Sequence, residues 1–491
     1  MKYKAAGIMA VLLVFLLSAA ASGLTDDKNQ RVHQHLEAEE TAACSHEADV
    51  FCTHLPLVVI DTGGTEIPGK AVLDENGKIL GYTQTENGED VITAQMKIMD
   101  QEGVNHHTDD APDVESLAEI HVRGNSSRTF DKSNYGIRFV TEQGENNPQS
   151  IMGMDAHHEW ALHGPFLDKT LIRNYMWYNI AGEFMDYAPN VRFCEVIVNG
   201  EYMGLYVMTE TITAGTDGAR LSLSVNKKNN TFSGYLLRLD RGSDTELKNI
   251  RTFSAYTLRT KQVLDIAYPG IRNLMPEFAE SIRQDFSDFE KTLYSYDYDS
   301  RKYGYRNYID VESFADYFII NEFTCNYDAG WLSTYIYKDG DGKYRMCIWD
   351  FNSACDGYQE SGVQPQHFEM QNCLWYFMLM KDEDFVNTII RRYRELRKGV
   401  LSDEYLNAYI DDVVDYLGPA IERNYEKWGY SFEEAYDLLQ PAYRNPRNYE
   451  QALQQMKGFL HIRSEWMDEN IEALRQYGAE SRVKKFNENA N

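Results

Sequence analysis

The stretch from Asp310 to Asn352, DVESFADYFIINEFTCNYDAGWLSTYIYKDGDGKYRMCIWDFN, constrains this chain more than any other. Val311, Phe314, Ala315, Phe318 and Ile319 recur at i, i+3, i+4, i+7 and i+8, which predicts a helix with one buried face. Asp310 is placed to cap it, and Glu312 suits its first turn. The pattern stops near Thr324, and a short loop with Asn326 and Asp328 follows. Ser333 to Lys338 is rich in β-formers, Asp339-Gly340-Asp341-Gly342 reads as a turn, and Tyr344 to Trp349 returns, which predicts a hairpin. Asp350-Phe351-Asn352 comes directly after it. A hairpin returns its second strand to the start of its first, so Asp328 and Asp350 are expected close together. Two carboxylates so placed suit a divalent cation and a proton acceptor. Aspartates at the two ends of a hairpin are also common where no chemistry occurs.

Composition sets the outer bounds. The 491 residues are enough for a large core, and 43% hydrophobic with 13% aromatic content indicates a globular chain. A net charge of −28 argues against nucleic acid or an anionic membrane as partner. It favours a soluble, monomeric protein that attracts basic substrate segments. Residues 1–21 have the layout of a signal peptide: Lys2 and Lys4, an apolar run from Ile8 to Leu17, then Ala19-Ala20-Ala21. The run is short for a membrane span, so a secreted protein without a membrane anchor is expected. Cys44 and Cys52 are the easiest pair among seven cysteines, while Cys194 and Cys347 lie in apolar strand-like runs and are expected to be buried thiols.

Residues 22–54 read as a polar tether with the acidic run HLEAEE. Residues 55–117 form a β-rich segment that opens on LPLVVI, either a separate module or a sheet extending the next lobe. His106-His107 with Asp109-Asp110 reads as a solvated turn. Strand EIHVR then leads to Gly124-Asn125-Ser126-Ser127, and YGIRFV returns. That turn, flanked by Arg123, Arg128, Lys132 and Arg138, suits phosphate oxygens, although a plain polar turn has the same composition. Asp168 reads as the cap of a helix whose buried face is Leu171, Ile172, Met176 and Ile180, with Arg173 and Asn174 in its first turns. Phe193 to Val198, Asn199-Gly200 and Tyr202 to Thr209 make a second hairpin that ends at Glu210. GYLLRLD is a strand closed by Asp240-Arg241-Gly242. Glu246 to about Leu264 is polar and mixed, a candidate substrate-side insertion. Helices are expected from Pro276 to about Leu293 and over Cys373 to Met380, Asp384 to Arg397, Ser402 to Leu417 and Tyr449 to about Arg475.

These motifs together resemble the spore-coat protein H (CotH-like) family of atypical protein kinases, from about His121 to about Leu474. The resemblance is carried by RGNSS, by W-x-L followed by DKTLIRN, by NGEYMGLYVMTE and by the acid–hairpin–acid order. It implies an α+β, two-lobed kinase-like fold over residues 118–475, with a smaller lobe over 118–212, a larger helical lobe over 213–475 and a tail over 476–491. It implies ATP, Mg²⁺ or Mn²⁺, and phosphoryl transfer to Ser or Thr of a protein. By the same resemblance Asp328 is the catalytic base, and Asp350 and Asn352 are metal ligands. Arg123, Gly124, Asn125, Ser126, Ser127, Arg138, Arg173 and Glu210 are nucleotide-site candidates. The chain departs from the pattern at Arg138, where the family commonly has Lys. Ser333 stands five residues after Asp328, where ordinary kinases have Asn.

Two other classes stay open. One is an exported binding or adhesion protein that keeps the fold without transfer, and Arg138 and Ser333 favour it. The other is a carbohydrate hydrolase using Asp328 and Asp350 as an acid/base pair, although no sugar-stacking tryptophan pattern flanks them. The leader predicts a mature N-terminus at or near Ser22, which N-terminal sequencing of protein recovered from the culture medium checks.

Overall fold

The structure is a computed structural model and describes residues 50–215, 220–258, 260–339, 342–357 and 364–478. The expected leader, most of the expected tether and most of the expected tail lie outside the described residues.

Alternation of apolar and polar residues builds the first unit. Seven strands form a closed barrel: β1 (Leu57–Asp61), β2 (Ile92–Met99), β3 (Val114–Val122), β4 (Tyr135–Val140), β5 (Glu159–His163), β6 (Val191–Val198) and β7 (Glu201–Glu210). Their order is β5-β7-β6-β1-β2-β3-β4, and β4 pairs with β5 to close the ring. β1 and β6 run parallel, with Leu57 facing Glu195, and the other neighbours run antiparallel. Ile92, Ala94, Met96 and Ile98 are buried while Thr93 and Gln95 are exposed, the period of a half-buried strand. With Ile120, Phe139, Trp160, Val196 and Met208 they fill the interior, as side chains do in small barrels.

The β-rich 55–117 segment is therefore part of this unit and no separate module. It supplies β1, β2 and the start of β3, and a boundary at residue 118 runs through β3. Without β1 and β2 the ring would have two open edges. His106-His107 is also no solvated turn. Both are buried in a two-residue strand against Cys52–Thr53, with His106 Nδ1 2.9 Å from the Leu55 carbonyl and the His107 amide donating to Asp110.

The second unit is a five-stranded antiparallel sheet covered by helices. Its strands are β8 (Tyr235–Asp240), β9 (Asn249–Ile250), β10 (Val263–Tyr268), β11 (Thr334–Lys338) and β12 (Tyr344–Cys347), in the order β9-β10-β8-β11-β12. β11 and β12 are the expected hairpin, with Tyr335 facing Cys347. It is shorter at its open end than expected, starting at Thr334 after Ser333 (φ 49°) and ending at Cys347, before Asp350 (φ 62°). The longer helices are α1 (Arg173–Gly182), α2 (Pro276–Leu293), α3 (Val311–Phe323), α4 (Glu383–Leu396), α5 (Asp403–Leu417), α6 (Pro419–Trp428) and α7 (Tyr449–Asn470). The fold class is α+β, as expected. Cys194 and Cys347 are buried free thiols in β6 and β12. No helix among the described residues is long and apolar enough to cross a membrane.

α3 is the helix of the organising stretch, capped by Asp310, whose side chain accepts from the Ser313 amide. It is buried from Ser313 to Phe323 on every side, not on one face, because β12, α4 and α7 surround it. Its polar residues are therefore paired. Asp316 holds Arg392 of α4 at 2.7 Å, and Glu322 holds Arg463 of α7. α6 was not expected. It seats on the barrel at Gly204, where an added Cβ would lie 2.7 Å from Asn424 Oδ1, and Asn424 accepts from the Leu205 amide and from buried Lys132.

Glu322 and Arg463 are both 0% exposed. Losing one partner strands a buried charge, which costs about 3–5 kcal/mol. Arg463→Met is expected to lower unfolding free energy by about that amount in denaturant titrations. Arg463→Met with Glu322→Gln is expected to recover part of it.

Candidate active site

Five loops converge between the barrel and the second sheet. They are the turn after β3, the segment after β5, the end of β8, the loop before β11 and the segment after β12. They enclose a cavity of about 470 Å³, a size that suits a small ligand. Arg123, Gly124, Asn125, Ser126, Ser127, Asp328, Asp350 and Asn352 all line it.

The glycine of the first turn is dictated by shape. Gly124 has φ 110°, and a Cβ there would stand 1.9 Å from Ser127 Oγ. Arg123 lies in the wall with its guanidinium 5.4 Å from the centroid of Trp349. His163 packs beside the same ring at 5.8 Å, and burial followed by the Arg123 charge pushes its imidazole down to about 3. It is a neutral wall group.

The acids behave as neighbours. Burial first and the Asp350 carboxylate second push Asp328 up to about 6, while Arg241 pulls it down. Burial also raises Asp350, opposed by hydrogen bonds to Asn352 and by the Arg123 charge. Asp240, at the end of β8, and Asp168 add further carboxylates to the wall, and Asp240 carries Arg241 at 2.8 Å.

Asp350 sits at φ 62°, unusual for a residue with a side chain, and its neighbours hold it there. The Asp350 amide donates to the Tyr178 hydroxyl at 2.9 Å, and its carbonyl accepts from Asn326 at 3.1 Å. Asn352 donates to the Asp350 carboxylate at 2.7 Å and accepts from Asn174 at 2.9 Å. Asn174 Oδ1 takes the Phe351 amide at 2.8 Å. Asn174 and Tyr178, one turn apart on α1, thus grip Asp350-Phe351-Asn352 from one face. Asn352 meets the cavity with its amide engaged on both sides, so it positions Asp350.

Three of the expected nucleotide-site residues do not line this cavity. Arg138 points outward from β4, because Ile137 and Phe139 on either side point in, and it forms a two-pronged pair with Glu119 at 2.6 and 3.0 Å. Glu210 is buried at the end of β7 and accepts from the Asn190 amide. Arg173 is buried in a latch: its side chain donates to the Ala354 and Cys355 carbonyls and pairs with Asp168, tying α1 to the segment after Asp350. Asp168 is not the residue flanking α1. It works from five residues upstream, accepting the Arg173 amide at 2.8 Å. Asn174, Tyr178, His163, Trp349 and Asp240 were not foreseen as site residues. The i, i+4 spacing of Asn174 and Tyr178 is the signal that could have found the first two.

Among the described residues, no three His, Cys, Asp or Glu side chains converge closely enough to hold a cation alone. Mg²⁺ usually takes one or two protein carboxylates and completes its shell with phosphate oxygens and water. The all-oxygen donors at Asp350 and Asp328 fit that demand. The arrangement offers a raised carboxylate to take a proton, a second carboxylate for a cation, and a tight turn with Arg123 for phosphate.

A family model described as CotH kinase protein matches residues 120–467. No curated protein matches the sequence.

Asp328 yields a test that needs no activity. Its carboxyl titrates higher folded than unfolded, so its contribution to stability is full below about pH 4 and is lost as pH rises through about 6. Asp328→Asn is expected to be more stable than the native protein at pH 8 by about 2–3 kcal/mol, the equivalent of a shift of about two units. The gap is expected to close near pH 4 in denaturant titrations at the two pH values.

Proposed function

We propose, from the premise that this chain belongs to the CotH kinase protein family, that it transfers the γ-phosphate of ATP to a Ser or Thr hydroxyl of a protein. The carrying observation is that Asp328 and Asp350 face one cavity under the Arg123–Ser127 turn, with Asp328 raised in part by Asp350. In this reading the barrel and the sheet-and-helix unit act as the two lobes of a kinase-like fold. Export through the leader places the activity outside the cytoplasm.

The residues divide the work as phosphoryl transfer requires, by positioning and charge compensation. Arg123 and the backbone of Gly124 to Ser127 orient the phosphates. Asp350, set by Asn352, Asn174 and Tyr178, would hold Mg²⁺ or Mn²⁺, which when bound neutralises phosphate charge. Asp328 orients the acceptor hydroxyl and takes its proton. Trp349, with His163 beside it, offers an aromatic surface to the ligand. The outward-facing Arg138 favours a second reading, a binding protein that holds nucleotide without transfer, since no β4 cation reaches the cavity.

Magnesium ATP at roughly 100 times its Kd is expected to stabilise the protein by about 2.7 kcal/mol. Asp350→Ala is expected to lose that stabilisation together with transfer. Asp328→Asn is expected to keep binding and lower turnover by about 10²–10⁴, the range of a general base. Binding without transfer to any protein supports the second reading, and no thermal shift with either metal removes both.

A further inference from the structure

Resting on the transfer reading, we infer that the surface formed by residues 247–258 and 260–263 docks an acceptor segment that is acidic and apolar. The chain as a whole carries 76 acids against 48 cations. Yet from Leu247 to Val263 it has Lys248, Arg251, Arg259 and Lys261 and no carboxylate. Arg251 and Lys261 are exposed and make no ion pair among the described residues. Tyr256 and Leu258 are 82% and 85% exposed, and Phe253 and Val263 are also exposed. Large apolar side chains left in water beside unpaired cations mark an interaction surface.

Topology sets this surface beside the chemistry. β8 ends at Asp240, which lines the cavity with Arg241 and Gly242. Asp240 faces Val263 across the β8–β10 ladder, and Arg241 bridges to Val263. Ile250 faces Leu264, so Arg251 continues β9 toward the same end of the sheet. A row thus runs from the acid loop outward: Asp240 and Arg241, then Val263, then Arg251. Neighbouring strands are about 4.8 Å apart, which puts Arg251 about 10 Å from the Asp240 end, or about three residues of extended chain. Asp328 feels the charges of both Asp240 and Arg241. An acceptor hydroxyl at Asp328, next to the Asp240 end of that row, therefore sets apolar residues against Val263 and Phe253 and an acidic residue, at least three positions away, near Arg251. An anionic membrane fits less well, because a bilayer meets the field of the whole molecule, with its net charge of −28, whereas a short segment meets only the cations within about one Debye length.

The test uses serine peptides with leucine next to the serine and either glutamate or lysine about three positions away, on each side in turn. Phosphate transfer from ATP and binding by fluorescence anisotropy are both measured. The glutamate peptide is expected to exceed its lysine counterpart in kcat/KM by about tenfold, the scale of two favourable surface charges. Arg251→Glu with Lys261→Glu is expected to raise KM for the glutamate peptide by about tenfold, leave kcat unchanged and reverse the preference. Tyr256→Ser with Leu258→Ser is expected to raise KM for both peptides. Equal use of both peptides, an unchanged preference in the charge-reversed variant, or patch-dependent binding only to phosphatidylserine vesicles would overturn the docking surface. Acidic-peptide binding that needs Arg251 and Lys261, with no transfer, keeps the surface and removes the transfer reading. Transfer without preference does the opposite.

Discussion

One buried ion pair sets where the acid loop begins. Glu322 stands one residue before the end of α3, its carboxylate taking Arg463 and the amides of Glu369 and Met370. Arg463 also donates to the carbonyls of Pro365, His367 and Glu322 itself. Two side chains thus join α3, α7 and the 364–370 segment at the point where the helix gives way to Asn326 and Asp328. Such a pair adds little net stability over an apolar replacement, since both charges leave water. Its contribution here is placement: α3 has one stopping point, and Asp328 follows it.

The proximity of Asp328 and Asp350 was legible because a hairpin is local, and its ends meet whatever the rest of the chain does. The Gly124–Ser127 turn was legible for the same reason. Arg138 was not, although the apolar residues on both sides of it already required it to face out. Residue type alone pointed to phosphate, whereas strand periodicity pointed away. Arg173 and Glu210 were read as nucleotide-site candidates because their partners, Ala354 and Asn190, are brought to them by long-range packing that no local pattern announces. Asn174 and Tyr178 are the same kind of residue seen from the other side. They are uncharged and lie in a wholly buried helix, and their purpose appears only once Asp350 is known to need support at positive φ. Family membership was legible in the motifs, and the barrel was not, since closure depends on which distant strands meet.

Charge offers a similar lesson in scale. A net value describes long-range repulsion and solubility, while contacts at a site are set within about one Debye length. Arg123, Arg238, Arg241 and four carboxylates, those of Asp168, Asp240, Asp328 and Asp350, share the cleft, so its field is mixed even though the molecule is strongly acidic.

The closed barrel has a consequence for how the chain is made. Leu57 finds its neighbour Glu195 only after β2 to β5 and α1 have been laid down. Until then β1, with its run of Leu57, Val58, Val59 and Ile60, has no partner on that side. Contacts so distant in sequence slow folding and leave apolar edges open for longer. The residues matched by the family model begin at 120, inside β3, so that portion alone lacks the two strands that complete the ring. A piece of this chain that keeps the ring closed therefore has to include Leu57.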